Sequence, residues 1–227
     1  MIPWELLETA EMPGNGGQLR LMRRGMEYAI RLGHTELMNS RLSGSEEALA
    51  TLTCQRLANA GPPRVLVGGL GMGFTLRALQ KALALDARID VAELVPAVVE
   101  WARGPLAPVF GDSLGDPRVE IVVTDVLDLI RAASQSYDAI LLDVDNGPEG
   151  LTRAANDSIY DPRGLADSYA ALRPGGMMSV WSAEPDRSFT QRLKRAGFSV
   201  EAAVVRADRG RRGTRHTIWL AKRPGRS

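Results

Sequence analysis

Three glycines and two acids have the spacing that most invites a chemical reading. Gly69, Gly71 and Gly73 fall in Gly68-Gly-Leu-Gly-Met-Gly73, directly after the apolar run Val65-Leu-Val67 and directly before a helical segment. Backbone without Cβ atoms turns sharply and lets a ligand come close. Glu93 lies twenty residues past Gly73 and ends a second apolar run, where a carboxylate can take both hydroxyls of a ribose. Asp125, with Val126 beside it, ends a third run in Val-Val-Thr-Asp, where it can accept from an adenine amino group. The G-x-G-x-G spacing differs from the dinucleotide pattern G-x-G-x-x-G, so the glycines alone say little. The loop, first acid and second acid, in that order, favour an adenosine site. The competing reading makes Glu93 and Asp125 helix caps, because acids favour helix N-termini.

Such a site needs a frame that brings several strand ends together. From Arg64 onward, apolar runs alternate with helix-like segments. Strands are expected at 64–68, 89–93, 119–123, 139–142 and 177–181, with helices at 75–85, through Val98 and Trp101, at 126–133, 165–172 and 189–196. Arg173-Pro-Gly-Gly176 is expected to stop the fourth of these helices. Residues 198–205 and 214–221 read as a terminal hairpin. Near-continuous apolar strands separated by helices indicate a parallel sheet covered on both faces. Before that frame, 19–32 reads as a small hairpin turning near Arg24-Gly25, and 45–59 as a helix. The expected division is a small N-terminal β-hairpin region over 1–45 and a nucleoside-binding domain over 46–227.

Composition narrows the class. With 227 residues, 44% hydrophobic and 24% charged, the chain can bury a full core. A formal net charge of +1 gives no overall pull towards nucleic acid or anionic membrane. The locally basic stretch from Arg206 to Arg215 reads as a solvated loop between two strands. The single cysteine, Cys54, allows no internal disulfide and reads as a small core residue. Met1 to Gly14 lacks the charge and apolar pattern of a signal peptide, and no window approaches a membrane span; a cytoplasmic protein is expected. His34 and His216, the two histidines, lack metal-ligand spacing, so no metal site is expected.

With these elements in place, the chain resembles the class I S-adenosylmethionine-dependent methyltransferases. More narrowly it is similar to the spermidine synthase (aminopropyltransferase) family. That likeness is carried by Asp116-Pro-Arg-Val-Glu-Ile-Val-Val-Thr-Asp125, Tyr137-Asp-Ala-Ile-Leu-Leu-Asp143, the Gly147-Pro148 loop and Leu172-Arg-Pro-Gly-Gly176. It implies a Rossmann-like α/β fold: a mostly parallel seven-stranded sheet with a C-terminal antiparallel hairpin, preceded by a small N-terminal β piece. It implies S-adenosylmethionine or its decarboxylated form as cofactor, a small amine as acceptor, a homodimer, and no metal. Gly69, Gly71, Gly73, Glu93, Asp125 and Val126 would hold the donor. Asp143 would orient the acceptor and take its proton, with Asp145 assisting and Tyr160 shaping the pocket. A loop carboxylate satisfied by backbone N–H groups is the alternative reading of Asp143.

The sequence also departs from the family's text. Where that family commonly has G-G-G-D-G-G, with an aspartate at the donor's amino end, this chain has Gly71. Its Y-H-E becomes Ser45-Glu46-Glu47, its D-S-S-D-P becomes Asp143-Val-Asp145-Asn-Gly-Pro148, and a Thr-Gln pair becomes Trp181-Ser182. Loss of one carboxylate partner for a buried ammonium costs about 1.5–3 kcal/mol. The departures therefore favour methyl over aminopropyl transfer; a nucleoside-binding partner without catalysis is the remaining alternative.

Overall fold

The computed structural model describes residues 2–57, 61–144, 158–208 and 213–225. Its first part is an antiparallel sheet of four strands in sequential order: β1 (Glu5–Glu11), β2 (Gln18–Arg24), β3 (Glu27–Leu32) and β4 (Thr35–Asn39). The expected 19–32 hairpin is its centre, turning at Gly25, whose φ of 61° a side chain would strain. Two flanking strands escaped the sequence reading. β1, Glu-Leu-Leu-Glu-Thr-Ala-Glu, is mostly exposed and charged and has no continuous apolar face, and β4 is short.

The second part alternates strand and helix: α1 (Gly44–Cys54), β5 (Arg64–Gly68), α2 (Phe74–Ala82), β6 (Arg88–Glu93), α3 (Pro96–Arg103), a single turn α4 (Ala107–Phe110), β7 (Val119–Val123), α5 (Val126–Ala132) and β8 (Tyr137–Leu142). It continues with α6 (Pro162–Ala171), β9 (Leu172–Ser182), α7 (Arg187–Arg195), β10 (Ser199–Arg206) and β11 (Arg215–Lys222). These strands form the expected seven-stranded sheet, in the order β10-β11-β9-β8-β5-β6-β7. All pairs from β9 to β7 are parallel, and β11 is antiparallel to both of its neighbours.

Strand periodicity shows in how the central strands share their side chains. Val65 and Val67 of β5 and Leu141 of β8 enter one core; Leu66, Ile140 and Leu142 enter the other. The first core also takes Leu49, Leu76, Trp101 and, from the N-terminal sheet, Leu21 and Ile30. The second takes Ile130, Leu165, Phe189 and Trp219. Both faces are apolar, which is why these strands read as continuous hydrophobic runs.

Several boundaries differ from expectation. α2 ends at Ala82, because Leu83 is already extended, and α1 ends at Cys54. Arg173-Pro-Gly-Gly176 does not cap α6. That helix ends at Ala171, and the four residues open β9 at an irregularity in its pairing with β8. Gly175 N–H donates to Arg223 O, and Arg223 N–H returns a bond to Gly176 O. Asp138 lies within β8 rather than before it, accepting from Arg64 N–H and pairing with Arg173. Among the described residues no helix is long and apolar enough to cross a membrane.

Candidate active site

The chain runs outward from β5 to β6 and β7, then returns to place β8 on the other side of β5. That reversal opens a crevice beyond the carboxyl ends of the strands. The glycine loop lines it, and each glycine has its own reason. Gly69 has φ of 92°, and a Cβ there would lie 2.6 Å from the main-chain oxygen of Asp143. Gly71, at φ of 50°, opens on the cavity, where its Cβ would come within 3.3 Å of Met38 Sδ. Gly73 does not line the cavity: it precedes α2 at φ of 71°, and its Cβ would stand 2.4 Å from the Phe110 ring. Its place in the sequence suggested a ligand contact, but its role is packing.

Glu93 is the last residue of β6 and 93% buried (7% exposed). Its Oε2 accepts from Leu70 N–H and its Oε1 from Val95 N–H, both at 2.9 Å. Burial pushes its carboxyl up, and the surrounding backbone amides pull part of the way back. Each oxygen keeps a second lone pair for a ligand hydroxyl. Asp125 is indeed a helix cap, with Oδ1 accepting from Leu127 N–H at 2.9 Å. It also lines the cavity, and Oδ2 has no partner among the described residues. The capping and ligand readings of Asp125 are thus compatible. Val126, buried at the start of α5, forms the adjoining wall.

The N-terminal sheet closes the cavity with Met12, Leu19, Ile30, Leu37 and Met38. Trp101 Nε1 on α3 donates to Glu8 Oε2 on β1 at 2.7 Å and ties that sheet to the frame. Apolar walls with a few placed acids and glycine backbone fit an adenosyl group. The cavity holds about 120 Å³. Pockets that enclose a small molecule usually exceed roughly 300 Å³. The flexible thioethers Met12 and Met38 are the wall elements best able to give way.

Asp143 follows β8 and faces the same cavity. Its Oδ2 accepts from Thr75 Oγ1 at 2.7 Å. Burial, then the charge of Glu46, push its carboxyl up to about 7, against the pull of the Thr75 hydroxyl. Glu46 is itself pushed up by burial and by Glu47, while Ser45 opposes the shift. Ser45 Oγ donates to Glu46 Oε2 at 2.7 Å and lies 2.9 Å from His216 Nδ1. The loop-carboxylate alternative, with backbone amides satisfying Asp143, is not what the structure shows.

Tyr160 is elsewhere. It is buried in the second core, with its ring edge-on to Phe189 at 5.5 Å, and does not line this cavity. Asp145 and the Gly147-Pro148 loop lie outside the described residues, as does the middle of the basic 206–215 stretch. Sequence reading missed Thr75, Glu46 and His216. Glu46 could have been found, because it occupies the middle of the replaced Y-H-E. His216 gave no local signal; β11 brings it across 171 residues to Ser45.

Comparison with known proteins places this arrangement. The Spermine/spermidine synthase domain matches residues 45–195, well over half of the 227. Polyamine aminopropyltransferase of Mycobacterium tuberculosis (strain ATCC 25618 / H37Rv) is 33% identical over 150 residues, covering 62% of this chain and 28% of that protein. Putrescine N-methyltransferase 2 of Nicotiana attenuata is 34% identical over 126 residues, covering 53% of this chain and 32% of that protein. The chain thus spans about a third or less of the length of these relatives. Spermidine synthase from Thermotoga maritima superposes with a TM-score of 0.75 at 18% identity, covering 96% of this chain and 72% of that one. A spermidine synthase in complex with the transition state analogue AdoDATO gives 0.78, also at 18% identity, covering 96% and 73%. These structures share the fold. With residues 45–195 matched and the glycine loop and acids at the strand ends, the chain belongs to the spermine/spermidine synthase family.

Proposed function

We propose that this chain transfers a methyl group from S-adenosylmethionine to a small amine, with Asp143 as the base. The observation that carries the choice of donor is Gly71. It stands on the cavity wall where the family's donor-end aspartate would be, and no acid among the described lining residues replaces it at that point of the loop. The loop's amides and the N-terminus of α2 favour an anion such as the carboxylate of S-adenosylmethionine. Glu93 and Asp125 would hold the ribose and adenine, with Val126 against the ring.

When bound, the sulfonium supplies an activated methyl carbon and leaves as a neutral thioether. The protein's task is alignment and one proton transfer. An amine with a pKa near ~10 arrives mostly protonated. Asp143, poised at about 7, attracts the ammonium, orients it and accepts its proton as nitrogen takes the methyl carbon. The Nicotiana relatives named putrescine N-methyltransferase support this reading. Aminopropyl transfer is the second reading, supported by the Mycobacterium relatives named polyamine aminopropyltransferase and by the presence of Asp143. The same reading takes the protein to be a cytoplasmic homodimer, on the strength of the family likeness and the single cysteine.

Calorimetric titration with S-adenosylmethionine and with its decarboxylated form, followed by assay of putrescine methylation, tests the proposal. At least tenfold tighter binding of the carboxylated donor, with methylated product, is expected. Preference for the decarboxylated donor and spermidine as product would replace it with aminopropyl transfer.

A further inference from the structure

Asp143 stands between two environments. On one side is the glycine-lined cavity; on the other is a chain of hydrogen bonds from α1, α2 and β11 that the donor site does not use. Its order can be derived. Ser45 is fully buried, and the one proton on its Oγ goes to Glu46 Oε2 at 2.7 Å. His216 Nδ1, 2.9 Å from the same oxygen, must then carry the proton and donate. Burial lowers the affinity of His216 for a second proton, so the ring is a neutral donor near pH 7. Trp181 of β9 packs edge-on against that ring at 4.7 Å. Thr75 closes the arrangement: its hydroxyl donates to Asp143 Oδ2 at 2.7 Å and lies 3.4 Å from the main-chain oxygen of Glu46.

The chain of bonds ends in two acids that feel each other's charge. None of the ion pairs among the described residues involves either one. The other titratable groups facing them are Glu47 on α1 and His216 on β11; Thr75 on α2 and Trp181 on β9 are neutral. Two desolvated carboxyls without a cation are unfavourable, and a cationic ligand relieves that cost.

We infer that Glu46 is a positioning residue for Asp143, anchored through Ser45 by His216, so that an acceptor's ammonium meets two acids rather than one. The inference rests on the role given to Asp143 above. The anchor lies outside the matched family domain, which ends at residue 195. It makes up at this point for the tyrosine and histidine that Ser45 and Glu46 replace.

The test uses the full chain and two readouts. The first is a ¹³C NMR titration of the Asp143 carboxyl without ligand, in wild type, Glu46→Gln and the smaller change Ser45→Ala. Removing the neighbouring charge should lower the Asp143 midpoint by about one pH unit or more in Glu46→Gln. Ser45→Ala, which weakens the ionised form of Glu46, should lower it by about half as much. The second readout is calorimetry with putrescine in the presence of S-adenosylhomocysteine. Glu46→Gln should weaken putrescine about tenfold and leave S-adenosylhomocysteine within about twofold of wild type. An Asp143 midpoint unmoved in both variants overturns the positioning role, whatever the ligand data. A shifted midpoint with no putrescine binding by wild type upholds that role and instead refutes the amine acceptor of the proposed function.

Discussion

Asp143→Asn removes the carboxyl that burial and Glu46 push furthest. An aspartyl group titrates at 3.8 in the unfolded chain and at about 7 here. The folded state therefore binds this proton more tightly than the unfolded state does. The resulting stabilisation is complete below about pH 4 and is lost as pH rises through about 7. The difference, 7 minus 3.8, is about three pH units, and at ~1.36 kcal/mol per unit wild type loses at most about 4 kcal/mol across that range. Because Glu46 shares the titration, an observed loss of about 2–4 kcal/mol is expected. Asparagine keeps an acceptor for the Thr75 hydroxyl and carries no charge, so the variant escapes the loss. Urea unfolding at pH 5, 6, 7 and 8, followed by the fluorescence of buried Trp101, Trp181 and Trp219, measures both proteins. Stability of the variant relative to wild type should rise steadily with pH. Curves that stay parallel within about 0.5 kcal/mol would show that Asp143 ionises freely, and its role as a poised base would fall with them. The same variant should bind donor normally and turn over at least about a hundredfold more slowly.

Gly71→Asp restores the family's donor-end acid at a backbone conformation aspartate tolerates, against the flexible Met38. The ratio of affinities should shift about tenfold towards decarboxylated donor, and an unchanged ratio by calorimetry would detach Gly71 from donor choice. Glu93→Gln should weaken S-adenosylhomocysteine about tenfold or more while thermal melting shows a folded protein; equal affinity would remove Glu93 from the ribose site. Gly73→Ala forces a Cβ into the Phe110 ring at positive φ and should cost about 3 kcal/mol or more in chemical denaturation, with donor affinity affected only through folding.

Much of this architecture was legible because it is local. β7 and the ends of β5 and β6 are apolar runs bounded by glycine or acid, and the seven-stranded sheet follows from their alternation with helices. β1 was not legible, because its stability comes from pairing with β2 and from Trp101 rather than from an apolar stripe. Arg173-Pro-Gly-Gly176 misled for a related reason: proline and glycine mark a break in regular geometry, here a strand irregularity instead of a helix end. In the site, the donor acids could be read from their places after strands, whereas the Glu46–Ser45–His216 chain depends on β11 crossing the sheet. Tyr160 was misplaced because nearness in sequence to Asp143 says little about which face of the sheet a residue joins.

The antiparallel strand β11 has a consequence for how the molecule comes into being. It sits between β9 and β10, although both precede it in the chain. During synthesis, then, β10 has no neighbour and the apolar rim of β9 stays open until residues 215–222 leave the ribosome. At roughly 5–20 residues per second that window is brief. It is nonetheless the interval in which the nascent protein is most prone to mispair with another copy. His216 arrives with the same closing strand, so the sheet is sealed and the imidazole set in place by one late event.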